Sequence, residues 1–314
     1  VNLPADIHGL AQASRLPARP LHLAVGIFDG VHLGHRSVVN TATGAAAADG
    51  GLAGVLTFWP HPSRLFQPQD PVRLIQTAEI KAHHLLAAGA AFVISEPFTP
   101  EFAAIEAEDF LPHVRRSLPT LAALYIGENW RFGRGRRGDL ALLRSEGRTH
   151  GIAVVSAPRI NLAGEPISST RIRAALASGR IEEANALLGY AYYAEGRITP
   201  GKQLGRTIGF PTLNIPWQPD LRPAYGVYAV KVRGSGTTTA LSAVANYGVR
   251  PTVEQSPEPR LEVHVIGDCV LGAGDTVTVE WLHFLRPEMK FAGLAELRAQ
   301  IDRDRAQAAT ALRA

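Results

Sequence analysis

Two histidines three residues apart, His32 and His35, sit in the segment Gly26-Ile27-Phe28-Asp29-Gly30-Val31-His32-Leu33-Gly34-His35. There the apolar run Leu21-His22-Leu23-Ala24-Val25 gives way to an alanine-rich stretch with helical character. A helix N-terminus attracts anions through its unbonded N–H groups and its dipole. Two imidazoles on the first turn add donors, and the intervening Gly34 lets a phosphate or a nucleobase approach the backbone. The spacing suits a grip on nucleotide phosphates. A tight turn carrying two surface histidines has the same local sequence, so the rest of the chain must decide.

Three more segments could converge with it. Thr57-Phe58-Trp59-Pro60-His61-Pro62 is a stiff loop with aromatic bulk and one histidine, His61. Gly127-Glu128-Asn129-Trp130-Arg131-Phe132-Gly133-Arg134-Gly135 joins an amide, aromatic rings and cations in a glycine-rich loop. Ile167-Ser168-Ser169-Thr170-Arg171-Ile172-Arg173 places hydroxyls before a helix and two arginines two apart. Hydroxyls at a helix start cap it, and they also hold phosphate. Far along the chain, the segment Gly201-Lys202-Gln203-Leu204-Gly205-Arg206-Thr207-Ile208-Gly209-Phe210-Pro211-Thr212-Leu213-Asn214 combines glycines and cations that suit a polyphosphate. Thr212 and Asn214, two apart on an extended segment, project from one face and offer two oxygens to a hard cation. A glycine-rich hairpin with polar residues turned outward is the plainer alternative.

The elements that must position these groups fall into two rhythms. The first half predicts strands at Leu21–Phe28, Gly54–Trp59, Ala91–Ser95, Ala122–Ile126 and Ile152–Ser156. Helices are predicted near 36–48 and at 77–88, 107–117 and 139–150. Alternating short buried strands and helices give a parallel sheet covered on both faces, with ligands beyond the carboxyl ends of the strands. A helical stretch is expected over 169–188. Strands then follow at 193–198, 210–215, 226–232, 239–247, 261–266 and 276–284, several alternating apolar and polar residues. That pattern reads as an antiparallel sheet or barrel. The tail, 294–312, reads as an amphipathic helix with Leu297, Ile301 and Ala308 on one side.

A chain of 314 residues suggests two domains, and 46% hydrophobic residues supply their cores. The net charge of +4 fits a protein that handles anionic nucleotides. No basic tail or dense Lys/Arg run points to nucleic acid. The one cysteine, Cys269, allows no internal disulfide or cysteine zinc site. The sequence as given opens on no charged-then-apolar segment, and no apolar run is long enough to cross a bilayer. A cytoplasmic protein with no membrane partner is expected.

The order GIFDGVHLGH, TFWPHP, GENWRFGRGRRGD and ISSTRIR resembles the prokaryotic bifunctional riboflavin kinase/FMN adenylyltransferase (FAD synthetase) family. The later motifs GKQLGRTIGFPTLN, ANYGVRPT, LEVH and LRPEMKF are similar to its riboflavin kinase module. The resemblance implies a Rossmann-like nucleotidyltransferase domain over 1–189. It implies a six-stranded antiparallel riboflavin kinase barrel with a terminal helix over 190–314. The implied partners are riboflavin, FMN, FAD and ATP as co-substrate, with Mg²⁺; the oligomeric state is left open.

By the same resemblance, His32 and His35 bind the ATP phosphates and stabilise charge as pyrophosphate leaves. Gly26, Phe28, Asp29, Gly34 and Asn129 help to form the nucleotide site, and Ser169, Thr170 and Arg173 form a phosphate clamp. In the second module Gly201, Lys202, Gly205, Arg206 and Thr207 bind ATP, and Thr212 and Asn214 bind Mg²⁺. Glu262 is the general base for the ribityl 5′-hydroxyl. His61 and Arg286 border flavin. An aminoacyl-tRNA synthetase relative would need a lysine-rich second signature, and ISSTRIR has no lysine. Another phosphate-accepting nucleotidyltransferase would leave the second module unexplained, and a non-catalytic relative would not need the histidine pair and Glu262 together. Trp130 stands where the family more often has Phe, which predicts altered packing there. Leu188-Gly189-Tyr190-Ala191-Tyr192 and the small residues of 267–274 also depart from the family pattern.

Overall fold

Short runs rich in Val, Leu and Ile, each followed by a helix-forming stretch, build the first part of the chain. In the computed structural model, which describes residues 5–201, 209–249 and 259–313, they form a parallel sheet of β1 (Asp6–His8), β2 (Leu21–Val25), β3 (Leu52–Trp59), β4 (Phe92–Pro97), β5 (Leu121–Gly127) and β6 (Ala153–Ala157). The order is β1-β4-β3-β2-β5-β6, every pair parallel. The connecting helices are α1 (Leu33–Asp49), α2 (Ala78–Ala87), α3 (Ala107–Ser117) and α4 (Leu140–His150). Two apolar layers cover the sheet, one around Leu23, Leu56, Phe92 and Leu124, the other around Val39, Val55, Leu85 and Tyr125.

The helix ends follow local chemistry. Thr77 and Asp139 cap α2 and α4 by accepting from Ile80 N–H and Leu142 N–H. Gly50 and Gly151 end α1 and α4 with φ of 71° and 67°, the left-handed conformation that glycine takes without strain. Strand β1 is an unanticipated edge strand: Asp-Ile-His has no readable periodicity, but Ile7 is buried against the core and Gly9 N–H donates to Ser95 O. Strand β2 stops at Val25 rather than Phe28, because the backbone turns left-handed at Phe28.

The chain divides into two units, Val1–Ser169 and Thr170–Ala314. The helical stretch 169–188 is two helices, α5 (Ser169–Ala177) and α6 (Ile181–Leu188), broken at Gly179 with φ 75°. Both pack within the second unit: Leu176 O accepts from Ala224 N–H, and Asn185 Nδ2 donates to Trp281 O at 2.7 Å.

The second unit is a six-stranded antiparallel, nearly closed barrel. It contains β7 (Tyr193–Arg197), β8 (Leu213–Ile215), β9 (Gly226–Gly234), β10 (Leu241–Gly248), β11 (Arg260–Val265) and β12 (Thr276–Pro287), in the order β8-β11-β10-β9-β12-β7. An antiparallel bridge between Thr199 and Asn214 joins the two ends of that order. Trp281, Tyr228 and Tyr247 fill the interior, with Tyr228 edge-on to Trp281 at 4.5 Å. The terminal helix α7 (Leu294–Ala311) covers an outer face through Ala308, which packs with Val227, Ala229 and Val244. Leu297 and Ile301 are only half-buried; the deeply buried members of α7 are Ala308 and, unexpectedly, Asp304.

Candidate active sites

In the parallel sheet, β2 is the point from which the strand order runs outward both ways. Ligands of such sheets bind in the crevice outside the carboxyl ends of the strands at that reversal. The segment 26–35 leaves the end of β2 and the segment 127–138 leaves the end of neighbouring β5, so the topology sets both at one crevice.

His32 is the N-cap of α1, its Nδ1 accepting the His35 N–H at 3.2 Å. With that lone pair engaged, the neutral ring carries its proton on Nε2 as a donor. The His32 and His35 rings stack with centroids 3.5 Å apart and planes 15° apart. Phe28 meets His35 edge-on at 5.3 Å. A Cβ on Gly34 would lie 3.2 Å from the His32 ring, and one on Gly26 equally near the Phe28 ring, so both glycines make room for these rings. Phe28 and Val31 adopt φ of 54° and 36°. Non-glycine residues hold such angles only where packing imposes them, and both side chains are buried.

Asp29 is buried and its carboxylate oxygens both accept from Ile75 N–H, at 3.1 and 3.2 Å. Its backbone carbonyl accepts from Ser169 Oγ at 2.8 Å, which ties Ser169 to the loop of His32 through a direct hydrogen bond. Further along α5, Thr170 is exposed and Arg173 half-buried, while Arg171 pairs with Glu183 at 3.0 Å.

Beside this loop, Ile27, Asp29, Phe58, Trp59, His61, Leu74, Gln76 and Lys81 line a small cleft that opens to solvent. His32 and His35 are not among its walls. Its walls mix apolar side chains with several hydrogen-bonding groups. His61 follows a cis Trp59–Pro60 peptide, and its Nδ1 accepts from Ser63 N–H at 3.1 Å. Lys81 is 5% exposed and donates to Ile27 O, Thr57 Oγ1 and Phe58 O at 3.3, 3.0 and 3.3 Å. Burial lowers its pKa from 10.5 to about 8, opposed by the charge of Asp29.

In the loop after β5, Asn129 is exposed. Trp130 stacks on Phe132 at 4.7 Å and meets Phe110 edge-on at 5.5 Å, so the larger ring is absorbed by aromatic packing. Arg131 pairs with Asp139, and Arg134 and Arg137 share Glu106.

In the barrel, Glu262 pairs directly with Asn214 on one side and Asn246 on the other. The row continues through Val227 to Arg286. Directly paired residues project from the same face. The alternate residues Leu261, Val263 and Val265 are buried, so this row lies on the outer surface. Thr212 precedes Asn214 by two, and His264 Nδ1 contacts Pro211 O at 2.9 Å, fixing the approach to Thr212. A Cβ on Gly201 would overlap the Asn214 amide, so only glycine lets that segment cross Asn214. Lys202, Gly205, Arg206 and Thr207 lie outside the described residues. Arg286 makes a bidentate pair with Asp304 of α7, Nε to Oδ1 at 2.9 Å and Nη2 to Oδ2 at 2.7 Å. That contact anchors the terminal helix on the barrel.

Two families of known proteins match these two units in order. A family model described as FAD synthetase matches residues 16–171, and one described as riboflavin kinase matches 188–312. The bifunctional riboflavin kinase/FMN adenylyltransferase of Escherichia coli K12 is 37% identical over 305 residues, 97% of this chain and 96% of that protein. The chain belongs to this bifunctional family. The Bacillus subtilis member is 34% identical over 292 residues, 91% of this chain and 90% of that one. A solved structure described as a macrolide-efflux protein from Streptococcus pneumoniae has a TM-score of 0.86 at 27% identity, covering 96% of this chain and 98% of that one. Among the described residues no helix is long and apolar enough to cross a membrane. Membership makes the chain an enzyme of flavin cofactor biosynthesis, with riboflavin kinase and FAD synthetase domains.

Two residues of this family member carry more than their sequence signal suggested. Lys81 stands in the apolar stripe Lys81, Ala82, Leu85 of α2, and a charge within such a stripe is the readable sign of a buried polar contact. Asn246 lies within the motif ANYGVRPT, but its place beside Glu262 follows only from strand pairing.

Proposed function

We propose that residues 1–189 transfer AMP from ATP to FMN and that residues 190–314 phosphorylate riboflavin. The observation that carries the division is the different use of carboxylates in the two sites. The segment 26–35 holds one carboxylate, Asp29, turned onto the Ile75 N–H beside two stacked imidazoles. The barrel row sets the half-buried Glu262 on the outer face between two amides. A phosphate nucleophile is already ionised and needs positioning and charge neutralisation; a hydroxyl nucleophile gains from a base.

In the first reaction an FMN phosphate oxygen attacks the α-phosphorus of ATP. The bond to the bridging oxygen breaks, and pyrophosphate leaves. His32, through Nε2–H, and His35 stabilise the charge that develops on the phosphates. Gly26, Phe28 and Gly34 shape the backbone that meets the nucleotide, while Asp29 holds that loop. Asn129, Ser169, Thr170 and Arg173 complete the ATP site. His61 borders the flavin, beside a cleft that mixes apolar side chains with hydrogen-bonding groups.

In the second reaction the ribityl 5′-oxygen attacks the γ-phosphorus of ATP, its proton passes to Glu262, and ADP leaves. Gly201, Lys202, Gly205, Arg206 and Thr207 hold the nucleotide. Thr212 and Asn214 offer hard oxygen donors, the donor type that suits Mg²⁺, whose remaining positions the triphosphate and water fill. The ion neutralises phosphate charge when bound. Arg286 acts on the flavin side by holding α7. The enzyme works in the cytoplasm, where one exposed cysteine, Cys269, is compatible with a reducing medium.

The test is incubation of the purified chain with riboflavin, ATP and Mg²⁺ followed by separation of the flavins. FMN and FAD both form on this reading. Binding of flavin and ATP without either product overturns it.

A further inference from the structure

The ammonium of Lys81 lies between two segments that the adenylyl-transfer reading uses for different substrates. One acceptor, Ile27 O, precedes Phe28 and Asp29 in the loop that leads to His32. The others, Thr57 Oγ1 and Phe58 O, precede Trp59 and His61 at the end of β3. Thr57 in turn donates its hydroxyl to Ile27 O at 3.0 Å. Lys81, Thr57 and Ile27 thus form a closed triangle of hydrogen bonds, in which Thr57 is fully buried. The Lys81 Nζ also lies 5.7 Å from the Trp59 ring centre, within cation–π range.

This arrangement is expensive in stability. A buried ammonium loses its hydration, and only good hydrogen-bond geometry recovers part of that loss. A methionine would fill similar space with no charge to desolvate. What an apolar side chain cannot do is fix three oxygens from two segments at one point. We propose that Lys81 is a positioning residue for adenylyl transfer: by joining Ile27, Thr57 and Phe58 it sets the histidine-bearing loop against the segment leading to His61. Misplacing reacting groups by about 1 Å costs on the order of 100-fold in rate. The inference rests on the proposed division of labour between the two units.

The test compares Lys81→Met, Thr57→Val and the double variant with the unaltered full-length chain. FAD formation from supplied FMN and FMN formation from riboflavin are both measured. In Lys81→Met, kcat for FAD formation falls about 100-fold while KM for FMN and ATP shifts by less than about threefold. Riboflavin phosphorylation by the same polypeptide stays at the unaltered rate, which shows the second unit intact, and unchanged protection of the β2 and β3 amides from exchange shows that the first unit has folded. Thr57→Val gives a smaller fall in the same parameter, and the double variant loses no more than Lys81→Met alone, as expected for one shared tether. Should Lys81→Met be poorly folded, Thr57→Val carries the test by itself, and unchanged kcat for FAD formation in that variant overturns the proposal. A kcat for Lys81→Met within about threefold of the unaltered chain overturns it too, as does a loss confined to KM. Absence of FAD formation in the unaltered chain is a different result: it removes the adenylyl-transfer reading on which the proposal stands.

Discussion

Glu262 stands directly opposite Asn214 on the neighbouring antiparallel strand, and both project from the outer face of the barrel. Strand register alone puts a carboxylate next to an amide that Gly201 passes at close range. Replacing Glu262 with Gln keeps the shape and removes the base. Riboflavin phosphorylation is expected to fall by about 10²–10⁴ in kcat. FAD formation from supplied FMN continues, and separation of the flavins with each substrate in turn checks both outcomes.

His32 has two tasks that substitution can separate. As N-cap it accepts the His35 N–H, and as an imidazole it donates to phosphate. His32→Ala loses both, so helix-start stability drops by about 1 kcal/mol and FAD formation by about 10²–10³ in kcat. His32→Asn restores a good cap and hence the unfolding midpoint, yet leaves FAD formation low. Urea unfolding read beside steady-state rates distinguishes the two losses.

Asp304 is a carboxylate with only 3% of its side-chain surface exposed that accepts from Arg286 in two places and from Gln300 Nε2 at 2.7 Å. Asp304→Ala leaves the guanidinium buried without its counter-charge, at a cost of about 3–5 kcal/mol. Loosening of α7 from the barrel follows, seen as faster amide exchange along 294–311. Arg286→Met with Asp304→Leu removes both charges and is expected to recover much of the lost stability.

Lys81 gives the protein a pH signature. Its pKa is about 8 when folded, against 10.5 as the ordinary value. Between those values the unfolded chain binds more protons than the folded one, so this contribution to stability rises with pH. The penalty is fully present below about pH 8 and is relieved towards pH 10.5. Relative to Lys81→Met, the unaltered chain gains stability over that window; parallel denaturant titrations across it give the difference.

Much of this was legible in the sequence because the decisive signals are local. The two histidines with Gly34 between them announced the start of α1, and apolar runs with glycine stops marked the parallel strands. Alternation in Tyr228–Val232 and Leu261–Val265 marked the antiparallel half. What escaped depends on contacts between distant residues. Strand β1 exists because Ile7 finds a pocket beside β4. The partners of Lys81 follow only from the meeting of the ends of β2 and β3 beside α2. Arg286 was expected at the flavin, and pairing with a residue eighteen positions later was invisible to any periodicity. Asp29, expected to support the nucleotide, also accepts the Ile75 N–H on its carboxylate, a backbone partner that no motif encodes.

Thr199 reaches Asn214 through both its N–H, at 2.9 Å, and its hydroxyl, at 3.4 Å, to the same carbonyl oxygen. The barrel's seam is therefore stitched at the same residue that lies opposite Glu262 on the adjoining strand. Parting the two edges of the wall would unseat the carboxylate's neighbour as well.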